Sequence, residues 1–145
     1  MTGQRKIKMT TSFLAGKILI TISTIIYGLA PLFVDLNKTH ATNPLWTGHS
    51  RFHVVWQVMI TFCIAILSLY FLWIRSYEIE NIVIAFILGL SVLGSFLLNV
   101  CLMKFYGGTL ADKNGVSKTF NINSNLLGFT IALTMSILGF LIISF

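Results

Sequence analysis

The sequence predicts an all-α membrane protein: a single four-helix antiparallel transmembrane bundle spanning residues 1–145. Three observations carry this. Apolar runs fall at roughly residues 13–34, 52–74, 81–103 and 125–145. Each reaches about 20 residues, enough at about 1.5 Å per residue to cross ~30 Å of hydrocarbon. Only 10% of residues are charged, against about 25% in a soluble domain. All three histidines, two of the three tryptophans and Asp35 are confined to residues 35–57, DLNKTHATNPLWTGHSRFHVVWQ. The pattern is that of an apolar scaffold holding one polar site.

Residues 1–12 are polar and basic, with Arg5, Lys6 and Lys8. A basic stretch before an apolar run resembles a signal peptide. The run that follows exceeds the usual 7–15 apolar residues and lacks a small-residue cleavage site, so a retained helix is expected. In that first span, Lys17 lies about a turn in and is expected to reach back to the membrane surface. Pro31 frees the carbonyl of Tyr27 and is expected to bend the exit toward Asp35. The second span begins within the histidine stretch. Asn43 and Pro44 read as its N-cap and first residue.

On that helix His49 and His53 are i and i+4, about 40° apart around the axis. Trp46 and Trp56 lie within about 60° of His49, and Arg51 projects about 200° away. Two imidazoles so spaced can grip one metal ion or share one proton, and His40 and Asp35 can fold back to add ligands. The plainer reading of the same residues is an interfacial aromatic belt with ordinary hydrogen bonds.

Loop two, residues 75–80, is short, and Glu78 and Glu80 read as solvated charges. Loop three, residues 104–124, carries two turn signals, Gly107-Gly108 and Asn114-Gly115, and one acid, Asp112. Small residues at packing spacing occur as Gly128, Ala132 and Ser136, as Ala85 and Gly89, and as Ser91 and Ser95. They read as contacts within the bundle rather than as a dimer face. Cys63 and Cys101 lie at different depths and read as buried small apolar residues that do not bridge.

Four spans put loops one and three on the same side. The expected site is therefore a mouth lined by Asp35, His40, His49, Arg51, His53, Asn99 and Asp112. The net charge of +6 does not point to nucleic acid, because the cations are scattered between apolar runs. Arg5, Lys6 and Lys8 ahead of the first span favour cytoplasmic termini, with the histidine loop on the opposite side.

The residues Asp35, Asn37, Thr39, His40, Asn43, Pro44, Trp46, His49, Arg51, Phe52 and His53 spell D-x-N-x-T-H-x-x-N-P-x-W-x-x-H-x-R-F-H. With the later Y-G-G-T-L-x-D of residues 106–112, this pattern resembles a family of small four-span membrane proteins whose activity is not settled. The family is similar in span layout to the DoxX-like and emopamil-binding-like bundles. The emopamil-binding enzymes use membrane-embedded acids to move a sterol double bond, and the spans here hold no acid. Redox accessory roles among DoxX-like proteins rest on paired cysteines, which this chain lacks. The resemblance therefore implies a layout, not a reaction.

Two functions fit the residues. The first is a membrane enzyme acting on a lipid or small amphiphile, with His49, His53 and Asp112 catalytic. In its metal form His40, His49, His53 and Asp35 would hold Zn²⁺, Fe²⁺ or Mn²⁺; in its metal-free form histidine moves the proton. The second is a non-enzymatic binding or accessory protein. A membrane lipid headgroup or small amphiphile would sit among Arg51, Trp46, Trp56, Asn99 and Asn43, with Arg51 pairing an anionic group. A ligand-free structural subunit is a third reading. A transporter fits least, since neither an inverted repeat nor a broken helix is visible.

Overall fold

The computed structural model describes residues 10–75, 78–110 and 118–145. Among the described residues it is an all-α bundle of four helices, each long and apolar enough to cross a membrane. Asp112 and the Asn114-Gly115 turn signal lie outside the described residues, as do Arg5, Lys6 and Lys8.

Helix α1 spans Thr11–Val34, and its start is set by Thr10, whose side chain accepts from the Phe13 N–H. Pro31 does not end it, and the helix continues to Val34. Helix α2 spans Gly48–Leu69 and runs into a π turn at Tyr70–Ile74. Helix α3 spans Ile79–Leu102 and tightens into a 3₁₀ turn at Met103–Tyr106. Gly107 stops it with φ +72°, a conformation that suits glycine, and the Gly108 N–H returns to the Met103 carbonyl at 2.7 Å. A two-residue ladder pairs β1 (Lys118–Thr119) with β2 (Ile122–Asn123) around Phe120 and Asn121, both at positive φ. Helix α4 spans Ser124–Ser144 and is capped by Asn123.

The start of α2 corrects the reading of Asn43-Pro44 as a helix start. The N-cap is Thr47, whose hydroxyl accepts from the Ser50 N–H at 3.1 Å. Asn43 cannot serve, because its side chain is already spent: Oδ1 accepts from the Leu45 N–H at 3.0 Å and Nδ2 donates to the Thr39 carbonyl at 3.0 Å. This is an asparagine-centred turn, an alternative to helix that Asn offers its own backbone.

Neighbouring helices run antiparallel, as the contacts themselves establish. Along the α1–α4 seam Gly16 meets Gly139, and further along Ser23 donates to the Ala132 carbonyl at 2.7 Å. On α2 and α3, Ser68 donates to the Ala85 carbonyl at 3.0 Å. On α3 and α4, Phe86 stacks on Phe140 and Phe96 on Phe129. In the α1–α4 and α3–α4 pairs one residue number rises as the other falls. Helix α1 packs most extensively on α4. There, a Cβ on either Gly16 or Gly139 would meet the opposite backbone carbonyl at 2.6 Å, so only glycine permits the approach.

The apolar interior has two centres. One joins Phe13, Ile20, Leu72, Ile82 and Ala85; the other joins Tyr27, Ala65, Leu93 and Ala132. Ala132 and Ser136 are buried as the spacing predicts, but Gly128 has open space around it and Gly139 takes the contact position instead. Ala85 and Gly89 are buried. Ser91 and Ser95 instead face outward, and each hydroxyl returns to a carbonyl one turn back in its own helix. Cys63 and Cys101 correct a second expectation: both are free thiols on the outer surface, not in the core.

The Lys17 side chain is buried, 2% exposed, rather than free in solvent. The ammonium lies 4.0 Å from the Trp73 ring centroid and 5.7 Å from that of Phe13. Glu80 is exposed, while Glu78 is half-buried and accepts from the Asn81 side chain at 3.3 Å.

Candidate functional site

The connection between α1 and α2 is a compact, internally bonded loop. Asn37 donates from Nδ2 to the Phe33 and Val34 carbonyls, closing the end of α1, and its Oδ1 accepts from the Thr39 N–H. The Ala41 N–H returns to the Asp35 carbonyl at 2.9 Å and the Thr42 N–H to that of Asn37 at 3.0 Å. Asn43, 1% exposed, ties the second half of the loop to Thr39. Much of the polar motif thus holds the loop together. Asn43, expected among ligand-binding residues, has its amide oxygen and nitrogen committed to backbone groups.

Thr39 Oγ1 lies 2.7 Å from Asn37 Oδ1, 3.1 Å from the Val34 carbonyl and 2.7 Å from His40 Nδ1. The hydroxyl has one hydrogen. When it is given to either oxygen, His40 must donate from Nδ1, which leaves Nε2 as the open nitrogen of that ring. His40 Nδ1 is also 3.7 Å from Asp35 Oδ1. Burial pushes the Asp35 carboxyl up from its ordinary value, and the neighbouring His40 pulls it part of the way back. Trp46 packs on the edge of His40 with ring centroids 5.1 Å apart. It belongs to the loop and not to the His49 face of α2, because the helix begins after it.

His49 and His53 do come together as the i, i+4 spacing predicts. Their Nε2 atoms are 3.0 Å apart, and the rings meet edge to face at 4.4 Å. Trp56 lies 5.8 Å from His53, and Phe52 flanks both rings. All four side chains are exposed.

Arg51 is on the other side of α2. It precedes buried Val58 by seven residues, two helical turns, and therefore shares its face. Its Nε is buried without a hydrogen-bond partner. The expected single mouth therefore divides into three parts. Asp35, His40 and Trp46 stay with the loop, Arg51 turns inward, and His49, His53 and Trp56 turn outward. Asn99 is also exposed, and its Oδ1 accepts from the Tyr106 hydroxyl. Among the described residues no three His, Cys, Asp or Glu side chains gather closely enough to hold one ion.

The sequence reading missed the bonding roles of Asn37 and Thr39 and the cap at Thr47. The last had a signal: Thr47-x-x-Ser50 has the spacing of a capping threonine and the N–H it serves. Compared with family models, curated proteins and solved structures, the chain matches none.

Proposed function

We propose that this integral, multi-pass membrane protein is a binding protein for an anionic amphiphile, whose phosphate or carboxylate is taken by Arg51 at the loop-one end of the bundle. One observation carries the reading: the buried, unpartnered Nε of Arg51 on the bundle-facing side of α2. Leaving a buried donor unpaired costs roughly 1–3 kcal/mol, more when the group is charged. A guanidinium presents its donors in a fork that matches both oxyanions. An anionic headgroup therefore recovers an energy that the protein alone forfeits. Among the described residues Arg51 makes no ion pair. The separation of the histidines from Arg51 favours binding over catalysis.

On the same reading the basic N-terminus stays in the cytoplasm and the Arg51 end faces the opposite side. The test is lipid retention. Protein purified in mild detergent is expected to carry an anionic lipid or fatty acid, detected by mass spectrometry, and Arg51→Ala is expected to lose it. Equal retention by the variant rejects the assignment.

A further inference from the structure

We infer that His49 and His53 form a chelating site for a late first-row divalent metal ion, copper above all, on the outward face of α2. The inference rests on the Nε2–Nε2 separation and not on the lipid reading above. Histidine nitrogens bind such ions at about 2.0–2.1 Å. Two of them on one ion are then about 2.9 Å apart at neighbouring corners of a square-planar site, and about 3.3 Å apart at tetrahedral corners. The observed 3.0 Å is set by the hydrogen bond between the rings, and it already brings the two nitrogens to within a small ring turn of the first arrangement. Tetragonal nitrogen sites suit Cu²⁺ and Ni²⁺, and the Irving–Williams order puts Cu²⁺ at the top. This departs from the Zn²⁺, Fe²⁺ or Mn²⁺ expected for a larger ligand set.

The site is prepared but simple. Both rings stand on one helix, one turn apart, so little freedom is lost on binding. In the metal-free state one Nε2–H donates to the other Nε2. To bind, the donor ring shifts its proton to Nδ1 and both exposed rings turn about their side-chain bonds until the two Nε2 lone pairs converge on the ion instead of on each other. Two protein nitrogens fill two positions, and water takes the rest. The ion would sit beside Trp56, whose ring is 5.8 Å from that of His53, close enough for paramagnetic Cu²⁺ to quench its fluorescence.

The experiment is a Cu²⁺ titration of the full chain in detergent, without any polyhistidine tag, read by electron paramagnetic resonance and tryptophan fluorescence. One Cu²⁺ per chain with two nitrogen ligands is expected, along with quenching that Trp56→Phe removes. His49→Ala and His53→Ala should each weaken binding by at least about tenfold, the loss that second-shell changes alone can cause. His40→Ala and Arg51→Ala should leave it unchanged, which separates this site from lipid retention. All of these side chains except His40 and Arg51 are exposed, and circular dichroism checks that each variant remains helical. The inference is overturned if the double variant His49→Ala/His53→Ala binds Cu²⁺ as the wild type does. It is also overturned if the spectrum shows four nitrogens shared between two chains.

Discussion

At one end of the bundle the Lys17 ammonium lies 4.0 Å from the centre of the Trp73 ring. Trp73 in turn donates from Nε1 to Thr21 Oγ1 at 2.9 Å, and Thr21 returns its hydroxyl to the Lys17 carbonyl at 2.8 Å. At the other end Arg51 turns its Nε into the bundle, where it meets no acceptor among the described residues. A cation taken out of water must be compensated. Lys17 is compensated from within, by an aromatic face held in place by its own helix, so it belongs to the architecture. Arg51 is half-buried, and among the described residues its Nε has no such partner; the difference is what makes it the candidate for an external anion.

The largest expected effect strikes the Lys17 end. Gly139→Leu should abolish the folded bundle or sharply lower its thermal midpoint in detergent. Its new side chain would start 2.6 Å from the Gly16 carbonyl, and backbone cannot step aside. Gly128→Ala, with nothing within 4 Å, should change little. A tolerated Gly139→Leu would mean that the α1–α4 seam, and with it the seat of Lys17, is looser than the geometry indicates.

A smaller effect tests the compensation itself. Trp73→Ala should destabilise by about 2 kcal/mol or more, the value of a desolvated cation–π contact. Adding Lys17→Met should restore part of that loss, since the charge then no longer needs the ring. Arg51→Met, by contrast, should leave stability unchanged or raise it, because it removes a donor that had no partner. Unfolding by denaturing detergent measures all of these, and a double-mutant cycle isolates the Lys17–Trp73 coupling. If Arg51→Met destabilises as strongly as Trp73→Ala, the contrast between the two ends fails.

How far the sequence could be read follows the same division. The four spans, their antiparallel alternation and the meeting of His49 with His53 are set by local quantities: run length and helical period. Those were legible. What was not legible depended on side chains that bond backbone. Asn43 looked like a cap because caps and turns favour the same residues for the same reason, and only the bond to Thr39 tells them apart. That moved the start of α2 from Asn43 to Thr47 and took Trp46 off the histidine face. The outward aim of the histidines and the inward aim of Arg51 were contained in the 200° between them. Which side faced the bundle awaited the burial of Val58 and Thr61. The burial of Lys17 was not legible because Trp73, its partner, is 56 residues away in the chain.

The smallest expected effect concerns Asp35, at the Arg51 end. Its backbone serves the loop whatever its side chain does, since its N–H bonds the Pro31 carbonyl and its own carbonyl accepts from Ala41. The carboxylate also sits at the C-terminus of α1, where the helix dipole disfavours negative charge. Burial raises its proton affinity in the folded state. The folded protein therefore holds that proton better than the unfolded chain does. The stability this contributes is fully present below the unfolded pKa and is lost as pH rises through the folded one. Near neutral pH the ionised side chain is thus a small net cost, and Asp35→Asn should raise the thermal midpoint slightly. The gain should vanish on acidification below the ordinary carboxylate range. His40 opposes the shift, so His40→Ala should enlarge the gain from Asp35→Asn, as thermal melts of the two single variants and the double variant across pH would reveal. A midpoint lowered by Asp35→Asn at every pH would instead make the Asp35–His40 pair a net stabilising contact, and the loop-one end would then be compensated from within as the Lys17 end is.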